Sequence, residues 1–158
     1  MFGLSLKERT AEATRRGAMA AMIGGYLHHS EIDKLGLTDS ASAFLYVEAV
    51  AIQIYALGAI FYHHRSSGAW ETPEFFHNAA VKGLLDGEKA NGLRTDSFVP
   101  SIVNRLQEID TSRDVDHPFA WSAERVKKID PSADGKQIEM LLQSAAHRFF
   151  EDAVKMFS

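Results

Sequence analysis

Histidine and carboxylate side chains are the groups in this sequence that could hold a metal ion. Glu74 and His77 have the Glu-x-x-His spacing that places a carboxylate and an imidazole on one helix face, as in di-iron bundles. Together with His63 and His64, which shortly precede them, they form a candidate transition-metal site. The second Glu-x-x-His motif and the two further glutamates of a ferritin-like centre are missing. We therefore expect no cofactor and keep the metal as an alternative.

Glu48 and Tyr55 are the side chains that could act as an acid or a base. Both lie in residues 41–62, where Glu48 is the only charge and Gln53 the only amide. A carboxylate removed from water suits general acid or base catalysis. The simpler interpretation is a buried carboxylate that a lysine, an arginine or a tyrosine hydroxyl from another helix satisfies. We predict that Glu48 and Tyr55 are buried polar residues.

Other catalytic groups are scarce in this chain. It contains no cysteine, which excludes disulfides, thiolate catalysis and thiolate-bound metals. No serine stands in a nucleophile elbow with its flanking glycines. We therefore favour a protein that is not an enzyme.

The aromatic group Trp70, Phe75, Phe76 and His77 is the best candidate for a contact surface. Adjacent residues of a helix point in different directions, so Phe75 and Phe76 cannot both face the same core. One ring is then left for another protein or a neighbouring subunit, where aromatic side chains often anchor the interface. The alternative is a helix between two neighbours, which would bury both rings.

The elements that must position these residues are helices. The run 41–62 is apolar on every side, so a helix formed by it must be surrounded by other helices or by lipid. We predict an all-α fold in which five to seven helices surround a central hydrophobic helix at about 40–64. At 158 residues, one domain spanning 1–158 is expected.

Local start signals divide the rest of the chain into helices. Ser5 and Glu8 predict a capping box, and Thr72 followed by Pro73 predicts the start of another helix. Further starts are expected near Thr38, Ser97, Pro118 and Pro131. Residues 86–92 are the most loop-like segment, although part of it could continue as helix before Gly92. The glycines and alanines of the first helix are expected to pack closely against the central helix, in an antiparallel pair.

Charge and hydropathy restrict the partners. A net charge of -4 and a pI near 6.0 leave no basic surplus for nucleic acid. The run 41–62 would span a bilayer, but Glu48 would be costly in lipid, and no second spanning segment exists. Arg15 and Arg16 precede an apolar run as in a twin-arginine export signal, without its small-residue cleavage site. We expect a cytoplasmic protein that does not bind membranes.

The sequence-based prediction of function follows from these exclusions. We predict a non-enzymatic helical module that binds another protein, such as a regulator, an adaptor or an immunity or inhibitor protein. Its contact surface would be the aromatic group around Trp70 and His77. The alternative is a helical bundle that binds a metal or a small ligand. Homo-oligomerisation through smooth glycine and alanine faces is compatible with both.

Overall fold

The computed structural model describes residues 3–24, 27, 29–64, 68–91, 97–111 and 118–157. Within these ranges all regular secondary structure is helical, which confirms the all-α prediction. The helices are α1 (Leu6–Ile23), α2 (His29–Asp33), α3 (Asp39–His64), α4 (Pro73–Ala90), α5 (Val99–Thr111), α6 (Pro118–Ile129) and α7 (Gly135–Met156).

Helix α3 lies at the centre of the bundle, as predicted. It contacts each of the other six described helices, and Leu45, Ile54 and Leu57 are among its fully buried side chains. By length and composition alone, Asp39–His63 could cross a membrane, with a mean hydropathy of 1.8. In the folded chain 72% of its apolar window is buried. Protein side chains therefore supply the surround that this helix requires.

Two predicted helix starts are confirmed by their hydrogen bonds. The Ser5 hydroxyl accepts from the Glu8 amide and the Glu8 carboxylate accepts from the Ser5 amide, each at 3.2 Å. Thr72 accepts from the Phe75 amide at 3.1 Å, and Pro73 is the first residue of α4. These bonds satisfy amides that have no partner within the helix.

The predicted start of the last helix at Pro131 is wrong. Helix α7 begins at Gly135, where the Asp134 carboxylate accepts from the amides of Lys136 and Gln137. The nearby hydroxyl of Ser132 instead donates to Asp130, at 2.6 Å. A carboxylate next to the first turn is the better cap because it also interacts favourably with the helix dipole.

The closest helix contact joins α1 to α4, a contact that the sequence did not predict. A Cβ on Gly83 would collide with the Arg15 carbonyl oxygen, and one on Gly87 would lie 2.8 Å from the Met22 Cβ. Helix α1 does run antiparallel to α3, with Gly17 against Leu57. The backbone nevertheless approaches α4 more closely, because glycines stand on that side of the contact.

The first part of the segment 86–92 continues α4, which ends at Ala90, as the helical alternative for this segment allowed. Gly87 is buried inside the helix. A Cβ atom added to it would lie 3.0 Å from the Met19 carbonyl oxygen. It therefore provides space for α1 and does not end the helix. Residues 92–96 lie outside the described residues.

Ion pairs at the α1–α4 contact hold one carboxyl well below its ordinary pKa. Arg15 donates to Glu12 at 2.7 Å and to Asp86 of α4 at 3.1 Å. Arg16 donates to Glu12 at 3.1 Å. The hydrogen bond from Arg15 is the main reason that the pKa of Glu12 falls from 4.5 to about 2.

We expect the free energy of unfolding to decrease as the pH is lowered from about 4.5 towards 2, and to decrease less in a Glu12→Gln variant. A carboxylate with a depressed folded-state pKa stabilises the fold above its unfolded pKa, and the contribution is lost as the pH falls through the folded pKa. Because Glu12 is partly in water, the difference should not exceed about 1 kcal/mol. Urea denaturation at about pH 7 and pH 2 measures it. Equal losses in the two proteins would contradict this role for Glu12.

Candidate functional site

An open cleft of about 490 Å³ lies between α4 and α5, with α3 as its floor. Helix α4 is drawn towards α1 by its glycines, whereas α5 is held on α3, so the two walls are separate. The apolar side chains of the cleft are Ile54, Ala59, Pro73, Phe76, Ala80, Val81, Leu84, Val103 and Leu106. A cleft of this size and character is typical of a binding site.

Small residues of α3 make the floor of the cleft accessible. Ala59 is exposed even though it belongs to the central helix. Its neighbour Gly58 is buried, and a Cβ there would lie 3.3 Å from the Phe76 ring. The Phe76 ring therefore packs directly on the backbone of α3. A bound molecule can reach the same backbone at Ala59.

Polar side chains also line the cleft, and the one carboxylate among them, Glu74, is negatively charged. The polar side chains of the lining are Tyr55, Tyr62, Glu74, His77 and Gln107. Glu74 and His77 are both exposed, in the first turns of α4. No lysine or arginine belongs to the described lining.

A cluster of aromatic rings closes the end of the cleft near the start of α4. Phe61 is buried and stacks on Phe75, with ring centroids 6.0 Å apart. Its ring also lies 5.3 Å from that of Phe76. Trp70 contacts Phe75 edge to face at 4.9 Å. These contacts fix the orientation of the first turn of α4, which carries Glu74 and His77.

The structure separates the four residues of the predicted contact surface into two groups. Phe76 and His77 line the cleft, whereas Trp70 and Phe75 pack on each other outside its lining. Both phenylalanines are partly buried, since each packs against Phe61 from its own side. Trp70 is also partly buried.

The proposed metal ligands do not form a cluster in the described part of the chain. Among the described residues, no group of three histidine or carboxylate side chains is placed to hold a metal ion. Glu74 and His77 line the cleft, whereas His63 is exposed and lies outside its lining. The side chain of His64 lies outside the described residues.

Glu48 lies on the side of α3 that faces α5 and α6, and it does not share the cleft with Tyr55. Its exposed fraction is 0%. Its Oε1 accepts from Arg105 Nε at 2.5 Å, and its Oε2 accepts from Ser122 Oγ at 2.6 Å. Both carboxylate oxygens are therefore satisfied, one by a cation. Tyr55, which was predicted to be buried, is only partly buried and lines the cleft. Seven residues are almost two helical turns, so Tyr55 lies on nearly the same side of α3 as Glu48, but about 10 Å further along the helix axis.

Arginine side chains cover the indole ring of Trp121 beside this ion pair. The guanidinium carbons of Arg105 and Arg125 lie 3.6 and 3.8 Å from the ring centroid. If both guanidinium carbons lay over the same face of the ring, they would be within about 3 Å of each other, which is closer than nonbonded carbon atoms approach. They therefore lie on opposite faces, and cation–π attraction adds to the ion pair with Glu48.

Sequence reasoning missed Arg105, Ser122, Trp121 and the cleft floor at Gly58. The requirement of Glu48 for a partner on another helix was evident from the sequence. The choice of Arg105 depends on the register between α3 and α5, which no local pattern records. A glycine inside an apolar helix was the one local signal for the floor.

No protein-family model, curated protein or solved structure matches this chain. Its function is therefore inferred from the geometry of the cleft.

Proposed function

We propose that this chain is a non-enzymatic helical module that binds an apolar segment of another protein in the cleft between α4 and α5. The single observation behind the proposal is the open apolar cleft over α3, with Ala59 exposed on its floor. Binding sites in proteins are typically concave and lined mostly by apolar side chains, as this cleft is.

The shape of the cleft favours a helical segment as the occupant. Two helices form its walls and a third its floor, which is the arrangement that receives an amphipathic helix in helix-in-groove recognition. The lining residues of α3 extend from Ile54 to Tyr62. At 1.5 Å per residue this is about 12 Å, or roughly two helical turns. Ala59 lies in the middle of this length, and its small exposed side chain allows the occupant to approach α3.

A substitution on the floor tests this proposal. Ala59→Arg places a long charged side chain in the cleft, and because Ala59 is exposed the fold should tolerate it. We expect the wild-type chain, immobilised and exposed to lysate of its source, to retain a protein that Ala59→Arg does not retain. Quantitative mass spectrometry of the retained proteins gives the ratio, which should be at least about tenfold, or 1.4 kcal/mol.

Ala90→Arg is the matched control, since it makes the same change at another exposed helical alanine, outside the cleft. It should retain the same protein as the wild type. If retention is equal for all three chains, the cleft is not the binding surface and the proposal fails.

A second candidate is a small apolar ligand in the same cleft. The observation that favours it is the volume, about 490 Å³, which lies within the range typical of small-molecule sites. A neutral apolar fluorescent dye such as Nile red should then bind the wild type and Ala90→Arg equally. Its fluorescence should be lost in Ala59→Arg. Native mass spectrometry of the purified protein would give the mass of any bound compound.

A further inference from the structure

The charges of the cleft restrict the chemistry of its occupant. Glu74 is the only carboxylate in the described lining, and no described lysine or arginine accompanies it. Its carboxylate makes no ion pair or hydrogen bond with any described residue. An anionic group entering the cleft would lose water without gaining a cation from the described lining. A cationic group would gain a partner at Glu74.

Aromatic rings next to Glu74 favour the same sign of charge. Tyr62 and Phe76 both line the cleft, and their ring centroids are 6.2 Å apart. The faces of such rings attract ammonium and guanidinium groups. A lysine or arginine side chain could therefore lay its apolar stem against these rings and direct its charge to the exposed Glu74 carboxylate.

The other end of the cleft, towards Ile54 and Tyr55 of α3, has no carboxylate in the described lining. Its walls there are Leu84 of α4 and the apolar side chains Val103 and Leu106 of α5. The charge-attracting end and the apolar end thus lie along one axis, with Ala59 between them. This polarity distinguishes one end of a bound helix from the other.

We propose that the occupant is an amphipathic helix whose apolar stripe of two to three turns ends in a lysine or arginine that pairs with Glu74. This inference rests on the proposed function, because it assumes that the cleft binds a protein segment. It adds a requirement for a cation at one position. Complementary charge at the edge of an interface determines specificity more than affinity.

Selection from a displayed library of random helical 14-residue peptides tests the requirement. The full chain is the target, and parallel selections use Ala59→Arg, Glu74→Gln and Glu74→Lys. We expect peptides enriched on the wild type to carry apolar residues at three- and four-residue steps and a basic residue at one end. Their dissociation constants, measured by fluorescence anisotropy, should rise roughly 2–5-fold in Glu74→Gln, as for an exposed ion pair. In Glu74→Lys they should rise about tenfold or more, and that selection should return aspartate or glutamate at the same position.

Glu124→Lys is the matched control, because Glu124 is also exposed on a helix but lies outside the cleft. It should leave the dissociation constants unchanged. Circular dichroism should show that all variants are folded, since Glu74 is on the surface.

The outcomes separate the two proposals. If enrichment depends on Ala59 but is indifferent to the charge at position 74, the cleft binds peptides and the cation requirement is overturned. If no enrichment depends on Ala59, the proposed function itself fails.

Discussion

Replacing Arg105 by methionine should lower the free energy of unfolding by about 3–5 kcal/mol. Arg105 is 6% exposed and donates to the fully buried carboxylate of Glu48. Its removal would leave Glu48 with the Ser122 hydroxyl as its remaining described partner and no described cation beside it. An uncompensated buried charge is far more costly than a lost surface contact. Urea denaturation followed by circular dichroism measures the change.

Two comparisons show whether burial of the charge is the cause. Glu108→Gln removes a carboxylate that is 57% exposed and 3.4 Å from Arg105, and should cost no more than about 0.5 kcal/mol. The triple variant Glu48→Leu, Arg105→Met, Ser122→Ala removes every member of the buried network. It should recover most of the stability lost by Arg105→Met, since apolar replacement of a buried ion pair is often neutral. If Arg105→Met lowers the free energy of unfolding by less than about 1 kcal/mol, Arg105 does not compensate a buried charge on Glu48.

The central helix could be predicted because its signal is local. Residues 41–62 are apolar on every side, and this property alone requires surrounding helices. The caps at Ser5 and Thr72 were equally local, since each depends on residues within one turn. The demand of Glu48 for a partner was also evident, but its satisfaction by Arg105 and Ser122 joins residues 57 and 74 positions away. Such registers are set by packing of the whole bundle.

The cleft could not be predicted because it depends on which pairs of helices pack closely and which do not. Its walls separate because α4 packs on α1, and the glycines responsible lie in and next to a segment that resembles a loop in the sequence. A glycine within a helix and a glycine in a turn have the same local signature. The sequence drew attention to the adjacent rings of Phe75 and Phe76, but it could not show that both pack against Phe61. Only Phe76 faces the cleft.

The α1–α4 contact should be the least tolerant of added volume. We expect Gly83→Ala to lower the free energy of unfolding by about 2–3 kcal/mol, although alanine favours a helix by about 1 kcal/mol over glycine. The added methyl group would meet the carbonyl oxygen of Arg15, and the Ala18 Cβ would be 2.8 Å away. A backbone atom inside a helix cannot move aside as a side chain does, so the two helices must separate. Thermal unfolding should show a lower midpoint.

Gly58→Ala is the control that separates crowding from the general effect of replacing a helical glycine. The added methyl group there would meet only the ring of Phe76, at 3.3 Å, and this ring is partly exposed and can shift. Its stability should stay within about 1 kcal/mol of the wild type, because the gain in helix propensity offsets the displacement of the ring. The difference between the two alanine variants therefore measures how closely the α1 backbone approaches α4. If Gly83→Ala is as stable as Gly58→Ala, α1 and α4 are too far apart for the added methyl group to meet the Arg15 carbonyl oxygen.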